Sequence, residues 1–373
     1  MSSKDESIFS KDALLGTKPG KEIVKQALFK SKGYRQFDKY KKETEEEFSN
    51  FVKRFTNDLL KEIKSDSSPN MTQQKFAEEI GSNEIILIDQ SHIDTIKTRL
   101  ENHETLMDRV SRILNSNFVK MTLPVFSALY DASSEYYRDK QDSELRTSII
   151  DGHIIAIDLS EPMDRIMDQD EDLEYLDDYK LMNPYLLKLA RDKIAKGGME
   201  VLEVFEHGFK DARIGQYLDF KLKTKSTNIS EEEMTQCYKK YRSVMGTAGR
   251  NMALNRKPLG EIFHLGMAKA AESVGCGNEI EDSIKNKFVK IPSWPLYYSL
   301  LTGNVKKGFE LTIEKSNLYL NEAKLALELL PENFSHKNFL EFLFLTVEHY
   351  NLFWFNQLQK ENLWSEFSAN LPK

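Results

Sequence analysis

The chain has 373 residues, 40% hydrophobic and 30% charged, which is the balance of a soluble globular protein and excludes a disordered one. Its length allows one large domain or two to three ordinary ones, at roughly 150 residues each. A net charge of -7 speaks against a protein that grips a nucleic-acid backbone, because that electrostatic footprint is basic.

Two cysteines, Cys237 and Cys276, give neither a disulfide framework nor metal-ligand spacing, so a reducing, cytoplasmic setting is expected. The N-terminus, MSSKDESIFSKDALLG, mixes charges and lacks the apolar run of a signal peptide. Residues 1–34 are polar, with TKPGK and KSKG as breakers, and read as a loose arm before a domain over 35–373.

The segment TEEEFSNFVKRFTNDLLKEIK sets Phe48, Phe51, Val52, Phe55, Leu59 and Ile63 on one face at helical period, and SDSSPN stops it. NEIILID is the one strand candidate. SHID at Ser91–Asp94 has the form of a capping box, and Ile93, Ile96, Leu100, Met107, Val110 and Leu114 continue an apolar stripe from it. A further helix is expected after Pro124, another around Ile149–Ile157, and one or two in LMNPYLLKLARDKIAKGGMEVLEVFEHGF. The acidic tract from Asp168 to Asp178 reads as an exposed, solvated loop.

SEEEMTQCYKKYRSVMGTAGRNMAL opens with a serine cap and an acidic first turn and is expected to run as one long helix. NLYLNEAKLALELLP and a helix from Phe339 to Phe355 close the chain. The latter carries Glu341, Glu348 and His349 and is too short and interrupted to span a membrane, so it reads as buried. The sum is a large all-α domain without fixed-period repeats. His153, His207 and His264 show no ligand spacing, and neither a Gly-rich phosphate loop nor a nucleophilic triad is present.

Two stretches carry candidate chemistry. In GNEIEDSIKNKFVKIP, Gly277–Pro292, the residues Asn278, Asp282 and Asn286 recur at i, i+4 and i+8, which puts three oxygen-bearing side chains on one helix face. Upstream, Asp164 and Asp168 in EPMDRIMDQDED are again four apart. Two such faces can hold Mg²⁺ through a few carboxylates, with water and phosphate completing its shell. The same spacing equally describes solvated faces of two ordinary helices.

Several short stretches, taken in order, resemble the trans-type polyprenyl diphosphate synthases, the farnesyl and geranylgeranyl diphosphate synthase family. DRIMD at Asp164–Asp168 resembles the first DDxxD motif of that family, with Arg165 at its second aspartate. DSIKN at Asp282–Asn286 resembles the second motif, with Ser283 in the corresponding place. IGQYLDF is similar to the GQxxD segment through Gln216 and Asp219. In KKYRSVMGTAG, Arg242 and Ser243 match the Lys-Thr pair. KFVKIP offers Lys287 or Lys290 for the lysine after the second motif, and NFVKMTLPVFSALYDA resembles the GGKRLRP helix start. The resemblance spans roughly Phe118 to Tyr350.

It implies a single helical bundle of the isoprenoid synthase type around a deep apolar pocket, and ionisation of an allylic prenyl diphosphate with Mg²⁺ as cofactor. Asp164, Asp168, Asp282 and Asn286 would be metal ligands, with Asn278 as a further one. Arg242, Ser243 and Lys287 or Lys290 would hold the diphosphate, and Gln216 and Asp219 would support the site. A homodimer is implied, or a pair with an active prenyl synthase.

The departures matter too. Of the GGKRLRP basic groups only Lys120 survives, and Gln169, Asp170 and Glu171 replace the RRG after the first motif. A diphosphate needs cationic or N–H partners, and acidic replacements repel it. Pro162 falls in the helix of the first motif, where it should kink or begin that helix. Three activities follow: a divergent prenyltransferase, a terpene synthase that needs no homoallylic site, and a non-catalytic subunit pairing with an active enzyme.

Overall fold

The computed structural model describes residues 31–81, 87–114, 117–168, 173–223, 229–287, 289 and 291–371, with backbone alone at 117–120, 158–168 and 173–174. Among these residues every regular element is helical, so the protein is all-α. Of NEIILID, only Leu87 to Asp89 are described, and they form no strand. The expected arm of residues 1–34 lies outside the described residues up to position 30, and its last residues, from Lys32, instead begin helix α1 (Lys32–Ser65). No helix is long and apolar enough to cross a membrane among the described residues.

The chain folds as two compact units. One comprises Tyr40–Ser127 and Gln141–Glu203. It contains most of α1, then α2 (Pro69–Ile80), α3 (Gln90–Leu100), α4 (His103–Leu114), the start of α5 (Asn117–Tyr137), α6 (Ser143–Asp168) and α7 (Leu173–Ile194). The α1 stripe is the interior face expected of it: Phe51, Phe55, Leu59 and Ile63 are all buried. α3 does not start at the SHID box. Asp89 caps it two residues earlier, its carboxylate accepting the Ser91 N–H at 2.9 Å. The stripe that follows breaks between α3 and α4, and Leu106 rather than Met107 is buried in the second helix.

α5 does not begin after Pro124 but runs through it, and α6 likewise continues through Pro162. Each proline removes one backbone hydrogen bond, and the neighbouring turns hold the helix. The acidic tract is not all an exposed loop. Asp178 lies within α7 at 0% exposure, bonded by Arg99 and by Arg109 Nε at 2.7 Å. Both partners lie far back in the sequence, so the local charge run gives no sign of them.

The other unit comprises the residues up to Lys39, Ala128–Lys140 and Val204–Lys373. It contains α8 (Met199–Lys223) from Val204 on, α9 (Glu231–Cys237), α10 (Lys239–Met252), α11 (Leu259–Asn286), α12 (Trp294–Thr302), α13 (Val305–Glu328), α14 (Lys337–Glu361) and α15 (Trp364–Ala369). Ser230 caps its helix as expected, in a capping box with Glu233, but that helix ends at Tyr238 and α10 begins anew. α11 packs against α10, α13 and α14 and is the centre of this unit. α14, as its apolar sequence suggests, buries Phe339, Leu340, Phe344 and Val347.

Candidate functional site on the central helix

α11 carries the motif because its other faces are committed to packing. Ile262, Phe263, Met267, Cys276 and Ile280 are buried, and small residues allow close helix contact. At Gly277 an added Cβ would lie 2.0 Å from Asn351 Oδ1, so a larger residue there would have to displace that buried side chain. The next residue, Asn278, therefore faces away from α14 by about 100° of helix rotation.

Asn278 and Asp282 are both half-buried, and the Asn278 amide donates to Asp282 Oδ2 at 3.1 Å. Asn286 continues this face one turn on and is exposed. Ser283, at the second position of the motif, is turned inward. It is fully buried, and its hydroxyl donates to the Glu279 carbonyl at 2.7 Å. The helix ends at Lys287, an exposed residue with φ +57° whose N–H returns to Ile284. Lys290 lies outside the described residues, as do the side chains of Lys120, Asp164 and Asp168. The backbone puts both aspartates in the last turns of α6.

The supporting residues fall around α10. Asp219 on α8 is 5% exposed and accepts an ion pair from Lys240 Nζ at 2.9 Å. Gln216 is half-buried one turn earlier. Gly215 lets these helices meet, since a Cβ there would stand 2.6 Å from Lys240 N and 2.9 Å from Cys237 O. Arg242 is partly exposed and lies 3.5 Å from Glu272 of α11, while Ser243 is buried. Glu272 is shared with Lys269, which also reaches Glu322 at 2.8 Å. Burial would lower the Lys269 pKa, but the hydrogen bonds its ammonium donates to Glu322 and Glu272 raise it.

Sequence spacing missed two members. Lys240, two residues before Arg242, is the actual partner of Asp219. Glu279, beside Asn278, is 4% exposed and accepts the Trp294 N–H at 3.0 Å. With Asp219, Lys240, Tyr241 and Pro292 it lines a narrow crevice that has no room for a water molecule. Burial, then Asp219, pushes the Cys237 thiol beside it up to about 12, so this cysteine stays protonated. Cys276 is raised as well, chiefly by burial.

Among the described residues no group of three or more His, Cys, Asp or Glu is arranged to hold a metal ion. The α11 face supplies one carboxylate and two amide side chains. That donor set fits a hydrated Mg²⁺ bridged to a phosphate, which needs only one or two carboxylates from the protein, and does not fit an all-protein cage.

No protein-family model and no curated protein matches the sequence. Solved structures do match. A geranylgeranyl pyrophosphate synthetase from the archaeon Geoglobus acetivorans aligns with a TM-score of 0.54 at 13% identity, over 76% of this chain and 99% of its own. A geranyltranstransferase from Methanosarcina mazei aligns with a TM-score of 0.52 at 16% identity, over 77% of this chain and 99% of its own. The polyprenyl synthase from Caulobacter crescentus CB15, complexed with calcium and isoprenyl diphosphate, reaches a TM-score of 0.47 at 13% identity over 74% of this chain and adds nothing to the fold assignment. The fold thus resembles that of these prenyl diphosphate synthases, at 13–16% sequence identity.

Proposed function

We propose that this protein is a divergent Mg²⁺-dependent class I isoprenoid synthase that ionises an allylic prenyl diphosphate, and that it acts as a prenyltransferase of the isoprenyl diphosphate synthase type. The observation that carries this reading is the oxygen face of α11. Asn278 and Asp282, half-buried, and Asn286, exposed, share one face of the central helix of a fold similar to that of a geranylgeranyl pyrophosphate synthetase.

Asp282 would hold the ion with Asn278 and Asn286, and Asp164 and Asp168 would supply carboxylates from α6. Mg²⁺ bound there would neutralise the charge of a departing diphosphate. Arg242 and Lys287 or Lys290 would bind the diphosphate oxygens, with Ser243 and Lys120 as further donors. Gln216 and Asp219 would keep α8 and α10 in register behind them. The apolar interior would exclude water from the allylic cation.

A second reading, a non-catalytic subunit paired with an active prenyl synthase, is favoured by Ser283. Its hydroxyl is committed to the Glu279 carbonyl, so the second motif keeps one carboxylate. A terpene synthase acting on one prenyl diphosphate is the remaining alternative, favoured by the missing arginines.

Purified protein is incubated with Mg²⁺ and geranyl, farnesyl or geranylgeranyl diphosphate, with and without isopentenyl diphosphate. A longer diphosphate formed only with both substrates supports the prenyltransferase. A hydrocarbon formed without isopentenyl diphosphate makes it a terpene synthase, and no turnover with any substrate contradicts both activities. Light scattering of the same sample should give a homodimer. A monomer that pairs with an active prenyl synthase supports the second reading.

A further inference from the structure

Glu279 has a role that the motif does not announce. Its Oε2 accepts the N–H of Trp294, the first residue of α12, at 3.0 Å. That N–H is one of the donors every helix start leaves without an intrahelical partner. The Ser293 hydroxyl caps the same turn by accepting the Leu296 N–H at 3.2 Å. A carboxylate at this end also complements the helix dipole. Trp294 itself is fully buried, with Tyr238, Tyr297 and Tyr298 around its ring. The start of α12 is thus fixed by its side chain on one side and by Glu279 on the other.

Between the two ends of this bond the chain leaves α11 at Lys287, an exposed residue held in the left-handed region. Glu279 is three residues before Asp282, and its own carbonyl holds Ser283. We infer that Glu279 is a positioning residue for the diphosphate end of the site. By tying α12 to α11 it holds the connection that leaves the helix at Lys287, just beyond Asp282. This inference rests on the proposed function for its ligand, but not for the tie itself.

The test compares wild type, Glu279→Gln and Glu279→Leu in the full chain. Two quantities are read: the rate of tryptic cleavage after Lys287, and the affinity for geranyl diphosphate with Mg²⁺ by calorimetry. In Glu279→Leu cleavage should quicken and affinity fall, each about tenfold, the scale of one hydrogen bond to a charged group. Glu279→Gln should stay near wild type in both, because its amide oxygen still accepts the Trp294 N–H. If Gln behaves like Leu, or if Leu leaves the cut unchanged, the inference is overturned. Should Glu279→Leu not fold, Glu279→Met, unbranched and able to adapt its shape, takes its place. Hydrogen exchange at the Trp294 amide of the wild type decides independently, since an unprotected amide contradicts the tie. Failure of wild type to bind geranyl diphosphate would sink the proposed function, while the cleavage comparison would still judge Glu279.

Discussion

Asn278 donates its amide N–H to Asp282 Oδ2 at 3.1 Å, one turn along the central helix. A neutral side chain thereby steadies the single carboxylate of this face, where a second acid would repel it. Asn278→Asp should strengthen Mg²⁺ binding to the ligand-free protein by about tenfold or more, because affinity for hard cations follows the charge of the ligand set. Calorimetric Mg²⁺ titration checks this. Unchanged affinity would show that the face does not meet the ion.

Asp178 is fully buried in α7, with Arg99 and Arg109 on its two oxygens. Removing its charge takes a buried carboxylate from between two guanidinium groups, although Arg109 keeps Asp108 at 2.6 Å. Asp178→Asn should cost about 3–5 kcal/mol of stability. Urea denaturation measures it, and a loss below about 1 kcal/mol would mean that the arginines find other acceptors.

His153 is buried, and burial pushes its pKa down from 6.5 to about 3. The unfolded chain therefore takes up a proton between these values that the folded protein refuses. Stability from this group is complete above pH 6.5 and drains as pH falls towards 3, at about 1.4 kcal/mol per unit. Denaturation midpoints between pH 7 and 5 should drop in wild type, and the slope should flatten in His153→Leu.

Gly215 brings the backbones of α8 and the α9–α10 junction together, with Lys240 N 2.6 Å from where a Cβ would be. Backbone cannot step aside as a flexible side chain can. Gly215→Ala should destabilise by about 1–3 kcal/mol, the usual penalty of overpacking, and should weaken the Asp219–Lys240 pair. Thermal melting checks the first effect. A neutral substitution would show the helices free to part.

The fold was legible where the pattern is local. The α1 stripe, the Ser230–Glu233 capping box and the apolar α14 can all be read from residues a few positions apart. What escaped depends on distant partners. The acid of Asp178 looks like part of a solvated run until Arg99 and Arg109 are brought to it. Asp219 finds Lys240, a lysine that none of the motif matches names. Pro124 marks a helix start and Pro162 a start or a kink by propensity alone, yet both helices run through them. On α11 the period-four spacing correctly marks one face, while Glu279 goes unnoticed because its partner lies across the turn into α12.

The central claim is that the α11 face, through Asp282, meets Mg²⁺ around an allylic diphosphate. Calorimetry of geranylgeranyl diphosphate with Mg²⁺ and with chelator, in wild type and in Asp282→Ala, tests it most directly. The account predicts weak Mg²⁺ binding alone, diphosphate binding that depends strongly on Mg²⁺, and loss of that dependence in the folded variant. Equal binding in chelator, or a variant that keeps the full Mg²⁺ dependence, would contradict it.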